Sequence, residues 1–275
     1  MSTRWESETP PVRPAFSGLA WLRIALRAMV LAVLVFGGLA VLLLCRLVER
    51  PLCGLHRPVT PHITCFVCRN ALRIMGMRLS VTGAPLTMQG AVVANHSSWL
   101  DIFALNAVKR IYFVSKSEVA HWPGIGWLAR ATGTVFIERN PKRAREQTDL
   151  FRARLLAGHK LAFFPEGTST DGQQVLPFKT TLFQAFLMPD LRDQLHIQPV
   201  AVIYHAPPGA DPRYYGWWGD MGFGPHFLAT LAPARPGGVE VIYGAPLRVA
   251  DFSDRKTLAA ACEAEVRAAH RKALV

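Results

Sequence analysis

From Ala28 to Cys45 the chain runs for 18 residues without a charged side chain, framed by Arg23 and Arg27 before it and by Arg46 and Arg50 after it. That length sits at the short end of the ~17 to 25 residues that cross a bilayer, and the segment reads as a permanent anchor. A cleaved signal peptide fits less well, because the leading region is long and no small-x-small site follows at once. Both flanks are basic, so the lysine and arginine asymmetry that orients a span is missing. A span and a helix lying in one leaflet both stay open. A second stretch places Ile63, Phe66, Val67, Ala71, Ile74 and Met75 at helical spacing, with His62, Arg69 and Arg73 on another face. The alternative is an ordinary helix packed on the rest of the protein. Residues 1–78 are expected to form N-terminal membrane-binding helices, and residues 79–275 the main folded domain.

Beyond that point short apolar runs alternate with helical patterns. Strands are expected at 79–82, 90–94, 111–115, 134–137, 160–164, 197–204 and 239–243. Helices are expected at 99–108, 142–157 with Gly158 as a stop, 179–188 and 254–274. The alternation predicts an α/β fold, a mostly parallel sheet flanked by helices and preceded by the N-terminal anchor.

Composition limits the partners. The formal charge is +12 and 51% of residues are hydrophobic. No run of five like charges and no nucleic-acid motif occurs, so anionic lipid headgroups are the expected partner and nucleic acid is not. Cys65 and Cys68 form a lone Cys-x-x-Cys without a second pair, which predicts helix packing and no metal site. The five cysteines suggest no disulfide framework, consistent with a domain facing a reducing cytosol. Gly124 to Ala129 has the letters of a dinucleotide fingerprint but follows His121-Trp122-Pro123 rather than a strand, and is rejected. No nucleophile elbow and no Walker loop is present. The aromatic stretch from Trp217 to Asp220 suits a lipid-interface patch and core packing equally.

Three segments carry chemistry. Asn95-His96-Ser97-Ser98-Trp99-Leu100-Asp101 sets a histidine and a carboxylate five residues apart at a strand-to-helix junction. A neutral histidine steered by the carboxylate can take a proton from an alcohol attacking an acyl carbon. The competing reading is a Ser98-x-x-Asp101 capping box with His96 merely nearby. Gly133 to Arg139 is a strand ending in an arginine whose fork suits a phosphate. Leu161 to Ser169 is a buried strand that stops at Pro165 and releases Glu166, Gly167 and Thr168 at its carboxyl end, where open α/β sheets bind ligands. Lys116 and Lys179 are candidate cations near the site.

In this order and spacing the segments resemble the glycerolipid acyltransferase family that includes 1-acylglycerol-3-phosphate acyltransferase. Asn95 to Asp101, Gly133 to Arg139 and Phe164 to Thr168 match its blocks, and Gln198-Pro199-Val200 is similar to a weaker fourth one, where an apolar residue usually precedes the proline. The resemblance implies that His96 acts as general base, that Asp101 holds the imidazole, and that Arg139 and the Glu166-Gly167-Thr168 turn hold the acceptor, with Glu166 organising donors rather than touching a phosphate, since like charges repel. Lys116, read from the residues alone, is added to these substrate-binding candidates. It further implies acyl-CoA or acyl-carrier protein as co-substrate, no bound cofactor or metal, membrane lipids as partners, and a bacterial inner membrane with the site on its cytoplasmic side. The expected acceptor is 1-acylglycerol-3-phosphate, with lyso-ornithine lipid as the alternative. A non-catalytic lipid-binding protein and a lipase are the readings from other classes.

Overall fold

The computed structural model describes residues 5, 11, 15–122, 124–138 and 144–274. Arg139 lies outside them. The chain opens with α1 (Gly18–Cys53), a helix of 36 residues, capped by the Ser17 hydroxyl, which accepts from the Ala20 amide. Its apolar outer surface includes Leu22, Leu26, Val33, Phe36, Leu44 and Leu47, all exposed. The helix is long and apolar enough to cross a membrane. It is longer than the uncharged run because leucine, arginine and glutamate on either side continue the helix without a break.

The helix α2 (Thr60–Met75) folds back against α1, starting with a proline and ending at Gly76 in the left-handed conformation. Glu49, near the end of α1, is buried and holds this start: it accepts from the Val59 and Thr60 amides and from the Thr60 hydroxyl at 2.7–3.1 Å. The buried stripe of α2 runs through Cys68, Ala71, Leu72 and Met75, whereas Phe66, expected on the apolar face, is exposed. That stripe belongs to the same hydrophobic cluster as Val92, Leu105 and Val239 of the sheet domain.

The sheet is built from β1 (Arg78–Thr82), β2 (Gly90–Ala94), β3 (Tyr112–Lys116), β4 (Val135–Ile137), β5 (Leu161–Phe163), β6 (His196–His205), β7 (Gly238–Tyr243) and β8 (Leu247–Arg248). Its order is β1-β7-β6-β2-β5-β3-β4, with β8 on the start of β6. All neighbours are parallel except those of β6 with β7 and β8. The ten residues of β6 serve three partners, β2 over 196–200, β8 over 196–197 and β7 over 200–205. The helices are α3 (Asp101–Val108), α4 (Ile125–Thr132), α5 (Ala144–Leu156), α6 (Phe223–Leu231) and α7 (Arg255–Leu274).

Alternate residues of each strand feed opposite faces. Val92, Ala94, Val200 and Val202 pack with α1, α2 and α3, while Ala91, Val93, Phe163 and Ile203 pack with α5 and α7. Two expectations change. The predicted helix at 179–188 is a 3₁₀ turn, Thr181–Phe186, because Phe183 and Phe186 both enter the core and a three-residue repeat brings them onto one line. The sequence reading missed α4 and α6. Gly124 introduces the first, and Gly222, Gly224 and Pro225 crowd the start of the second, so both read as loops.

Gln198, the polar residue where the fourth block usually has an apolar one, is buried and acts as a staple. Its Oε1 accepts from the Leu86 amide, and its Nε2 donates to the carbonyls of Ala84 and Gly244 at 2.9 Å. Gln198→Leu would leave three backbone groups without partners. The expected cost is about 2–4 kcal/mol, read as a lower midpoint in urea unfolding of purified protein.

Candidate active site

The strands β2, β5 and β3 are neighbours and parallel, so their carboxyl ends open on one edge. His96 follows β2 by two residues, Glu166 follows β5 by three, and Lys116 ends β3. Asn95 fixes the exit of the chain from β2. Its Oδ1 accepts from the Val202 amide and its Nδ2 donates to the Val202 carbonyl, both at 2.8 Å, so its side chain extends the ladder to β6 by one rung.

The carboxylate of Asp101 is fully buried and collects four donors. Oδ2 accepts from His96 Nδ1 at 2.7 Å and from the Ser97 and Ser98 amides at 2.9 and 3.1 Å, and Oδ1 accepts from the Tyr204 hydroxyl at 2.7 Å. An ionised carboxylate only accepts, so this network puts the histidine proton on Nδ1 and leaves the Nε2 lone pair free. The imidazole is partly exposed while its partner is not, with side-chain accessibilities of 23% and 0%. Phe164 is stacked on the imidazole with ring centres 4.1 Å apart and covers one face, which leaves the in-plane Nε2 lone pair unobstructed by it. Burial, and then the nearby Asp101 charge, push the Tyr204 phenol well above its ordinary range, so it stays a donor.

The expected capping box forms only in part. Asp101 accepts from the Ser98 amide, but the buried Ser98 hydroxyl makes no hydrogen bond, and α3 begins at Asp101 rather than near Ser98. The carboxylate is turned to the histidine as well as to the backbone.

Glu166 is buried and braces the loops. It accepts from the His96 amide at 2.7 Å and from the Leu176 amide at 2.8 Å. Burial outweighs these two bonds and raises its pKa to about 8. Gly167 has φ of 73°, and a Cβ there would lie 2.7 Å from Lys179 Nζ, so the turn needs glycine and carries Lys179 against it. Thr168 is half-buried beside it. The Thr170 amide donates to the His96 carbonyl, and the Trp217 amide to that of Ser97. Trp99 Nε1 donates to His226 Nδ1 at 3.0 Å, and His226 Nε2 donates to the Gly216 carbonyl, which binds α6 to the site. Trp218 is core and Trp217 is half-buried. The sequence reading missed Tyr204, and it left His226 as a structural or surface histidine without a role; the structure buries it as the link between Trp99 and the Gly216 carbonyl. Tyr204 shares the face of Val200 and Val202, the side of the sheet on which α3 packs, and that period was its available signal.

The Acyltransferase family model matches residues 79–203. A lyso-ornithine lipid O-acyltransferase from Rhodobacter capsulatus is 58% identical over 261 residues, 94% of each chain. This chain belongs to the glycerolipid acyltransferase family. A 1-acyl-sn-glycerol-3-phosphate acyltransferase from Neisseria gonorrhoeae is 33% identical over 73% of this chain and 77% of its own. The crystal structure of the 1-acyl-sn-glycerophosphate acyltransferase from Thermotoga maritima shares the fold, with a TM-score of 0.65 and 21% identity over 94% of this chain and 95% of that one. The protein is therefore an acyltransferase acting on a lysolipid, and its long apolar helix associates it with membrane.

Three outcomes test this geometry. His96→Ala is expected to lower kcat by about 100-fold or more with the fold intact, and Tyr204→Phe by about tenfold with little change in KM, since the phenol reaches the substrate only through Asp101. For Glu166 the folded pKa of about 8 lies above the unfolded value. Its contribution to stability is complete below the unfolded pKa of about 4.3 and is lost as pH rises to about 8, by a few kcal/mol at about 1.4 kcal/mol per unit. Glu166→Gln should flatten that alkaline loss, read from urea midpoints between about pH 5 and 8.

Proposed function

We propose that this acyltransferase acylates a free hydroxyl of a lyso-ornithine lipid, using an acyl thioester of coenzyme A or of acyl-carrier protein. The observation that carries the acceptor is the 58% identity to the Rhodobacter capsulatus lyso-ornithine lipid O-acyltransferase across 94% of both chains, against 33% and a shorter match for the Neisseria gonorrhoeae enzyme of the phosphate-bearing acceptor. This reverses the order expected from the motifs, which put 1-acylglycerol-3-phosphate first. The blocks from Asn95 to Asp101 and from Phe164 to Thr168 carry chemistry that is the same for either acceptor, so their match does not select between headgroups.

In this reading His96 Nε2 takes the proton of the lysolipid hydroxyl as its oxygen attacks the thioester carbonyl. The carbon–oxygen bond forms and the tetrahedral intermediate collapses. The carbon–sulfur bond then breaks, and the departing thiolate recovers the proton from the imidazolium. Asp101 stabilises the charged imidazole in between, at the 2.7 Å contact with Nδ1. Glu166 holds the His96 backbone, and Lys116, Lys179 and Thr168 stand at the edge where the acceptor headgroup would lie. No metal or bound cofactor takes part. A thioester made in the cytosol supports a site on the cytoplasmic side.

The two acceptors can be compared in one preparation. Wild type is expected to give a kcat/KM for lyso-ornithine lipid at least about tenfold above that for 1-acylglycerol-3-phosphate. Arg139→Lys should leave the first within about twofold, because an acceptor without phosphate offers nothing for a bidentate fork. A preference for the phosphate-bearing lipid, together with a raised KM for it in Arg139→Lys, would return the reading to the other acceptor.

A further inference from the structure

Opposite the site, where β3 and β5 begin, the surface holds a cleft of about 190 Å³. Its lining includes His56, Arg57, Lys109, Arg110, His159 and Lys160. Among the described residues no carboxylate lines it. Arg57 donates to the Ala131 carbonyl and Arg110 bonds His62, so these groups are oriented without being neutralised. None of Arg57, Lys109, Arg110 and Lys160 makes an ion pair among the described residues. Behind them Arg154 is buried and donates to the Gly133 carbonyl and to His159. Tyr112 is the aromatic floor, stacked on His159 at 4.1 Å, with Arg57 and Arg154 over its ring.

The charges crowd one another. Burial, with Arg46 and Arg154, lowers the Arg57 pKa to about 10, and burial with Lys109 and Arg110 lowers that of Lys160. Glu49, whose charge acts against this lowering at Arg57, is already engaged by Arg46 and the start of α2. His159 is held neutral at neutral pH, lowered to about 4 by burial and by Arg154. Repelling cations held together with little compensation favour an anion between them.

The neighbourhood of the cleft is apolar. His56 and Arg57 belong to the link between α1 and α2, and Leu47, Val48, Leu52, Leu55 and Val59 around that link are all exposed. An anion bound here has hydrocarbon surface within reach, an arrangement that suits an amphiphile better than a free ion. We propose that this cleft binds the phosphate of an anionic membrane phospholipid, whose acyl chains lie along the exposed end of α1, and that it is a lipid site separate from the one at His96. The proposal is independent of the acceptor assigned above, because it concerns a lipid that is bound and not acylated.

Sedimentation of the full chain with vesicles tests it, using phosphatidylcholine alone and phosphatidylcholine containing phosphatidylglycerol. The triple variant Lys109→Gln, Arg110→Gln, Lys160→Gln is expected to lose at least about tenfold in affinity for the anionic vesicles, given the usual worth of a basic residue at a membrane surface. A variant with the same change in net charge on α7, Arg255→Gln, Lys256→Gln, Lys272→Gln, should stay within about twofold of wild type. Lys109→Arg with Lys160→Arg keeps the charge and should bind like wild type, and unfolding curves for each variant report on folding. Equal losses in the two neutralised variants, or no loss in the first, would overturn the proposal in favour of diffuse charge. Release of the protein from anionic vesicles by inorganic phosphate at matched ionic strength would assign the cleft to a soluble anion and overturn the lipid.

Discussion

The arrangement at the sheet edge depends on one buried carboxylate. Asp101 is fully enclosed, and its four donors come from a histidine, two successive amides and a tyrosine on another strand. A charge buried without such partners would be costly, so each donor that lets it stay ionised also acquires a fixed position. The Ser97 and Ser98 amides define the turn between β2 and α3. The Tyr204 hydroxyl ties that turn to β6, and the imidazole receives its tautomer. The orientation of the His96 imidazole and the local fold therefore share the same hydrogen bonds.

A second layer keeps that turn in place. Asn95 extends the β2 ladder onto β6, Glu166 carries the adjoining loop to the His96 amide, and Thr170 and Trp217 close on the carbonyls of His96 and Ser97. The backbone around the histidine is thus satisfied by side chains and loops from four parts of the chain, which leaves the Nε2 lone pair as the group directed outward. The helical arm joins the domain in a different way. Arg23 and Arg27 of α1 donate to the carbonyls of Leu231, Ala232 and Pro233 at the end of α6, where the helix dipole favours a cation. The basic flank that obscured the topology of the apolar run thus has a partner in the fold.

Sequence reasoning went furthest where a signal is local. The seven expected strands appear with ends shifted by a residue or two, because runs such as Ala91 to Ala94 and Ile197 to Tyr204 are buried on both faces and read as continuous apolar segments. The long apolar helix and the close placement of His96 and Asp101 were legible for the same reason. Two helices opened by glycine and proline were not, since their intrinsic propensity is overridden by packing. Gln198 was visible only as a departure from an apolar pattern. Its meaning depends on the three backbone groups that surround it.

By itself the sequence determined the kind of chemistry, through the order of its blocks, the α/β class, through alternating periods of burial, and the apolar arm. These are properties of neighbouring residues, and a periodicity of two or of 3.6 is enough to write them. The tertiary structure alone decided that Tyr204, 103 residues from Asp101, completes the carboxylate, and that Glu166, 70 residues from His96, holds its backbone. It alone gathered Arg57, Arg110 and Lys160 into one cleft. Parallel strands are joined by long crossovers, so residues far apart in the chain meet at a common edge, and no local pattern records which of them will do so.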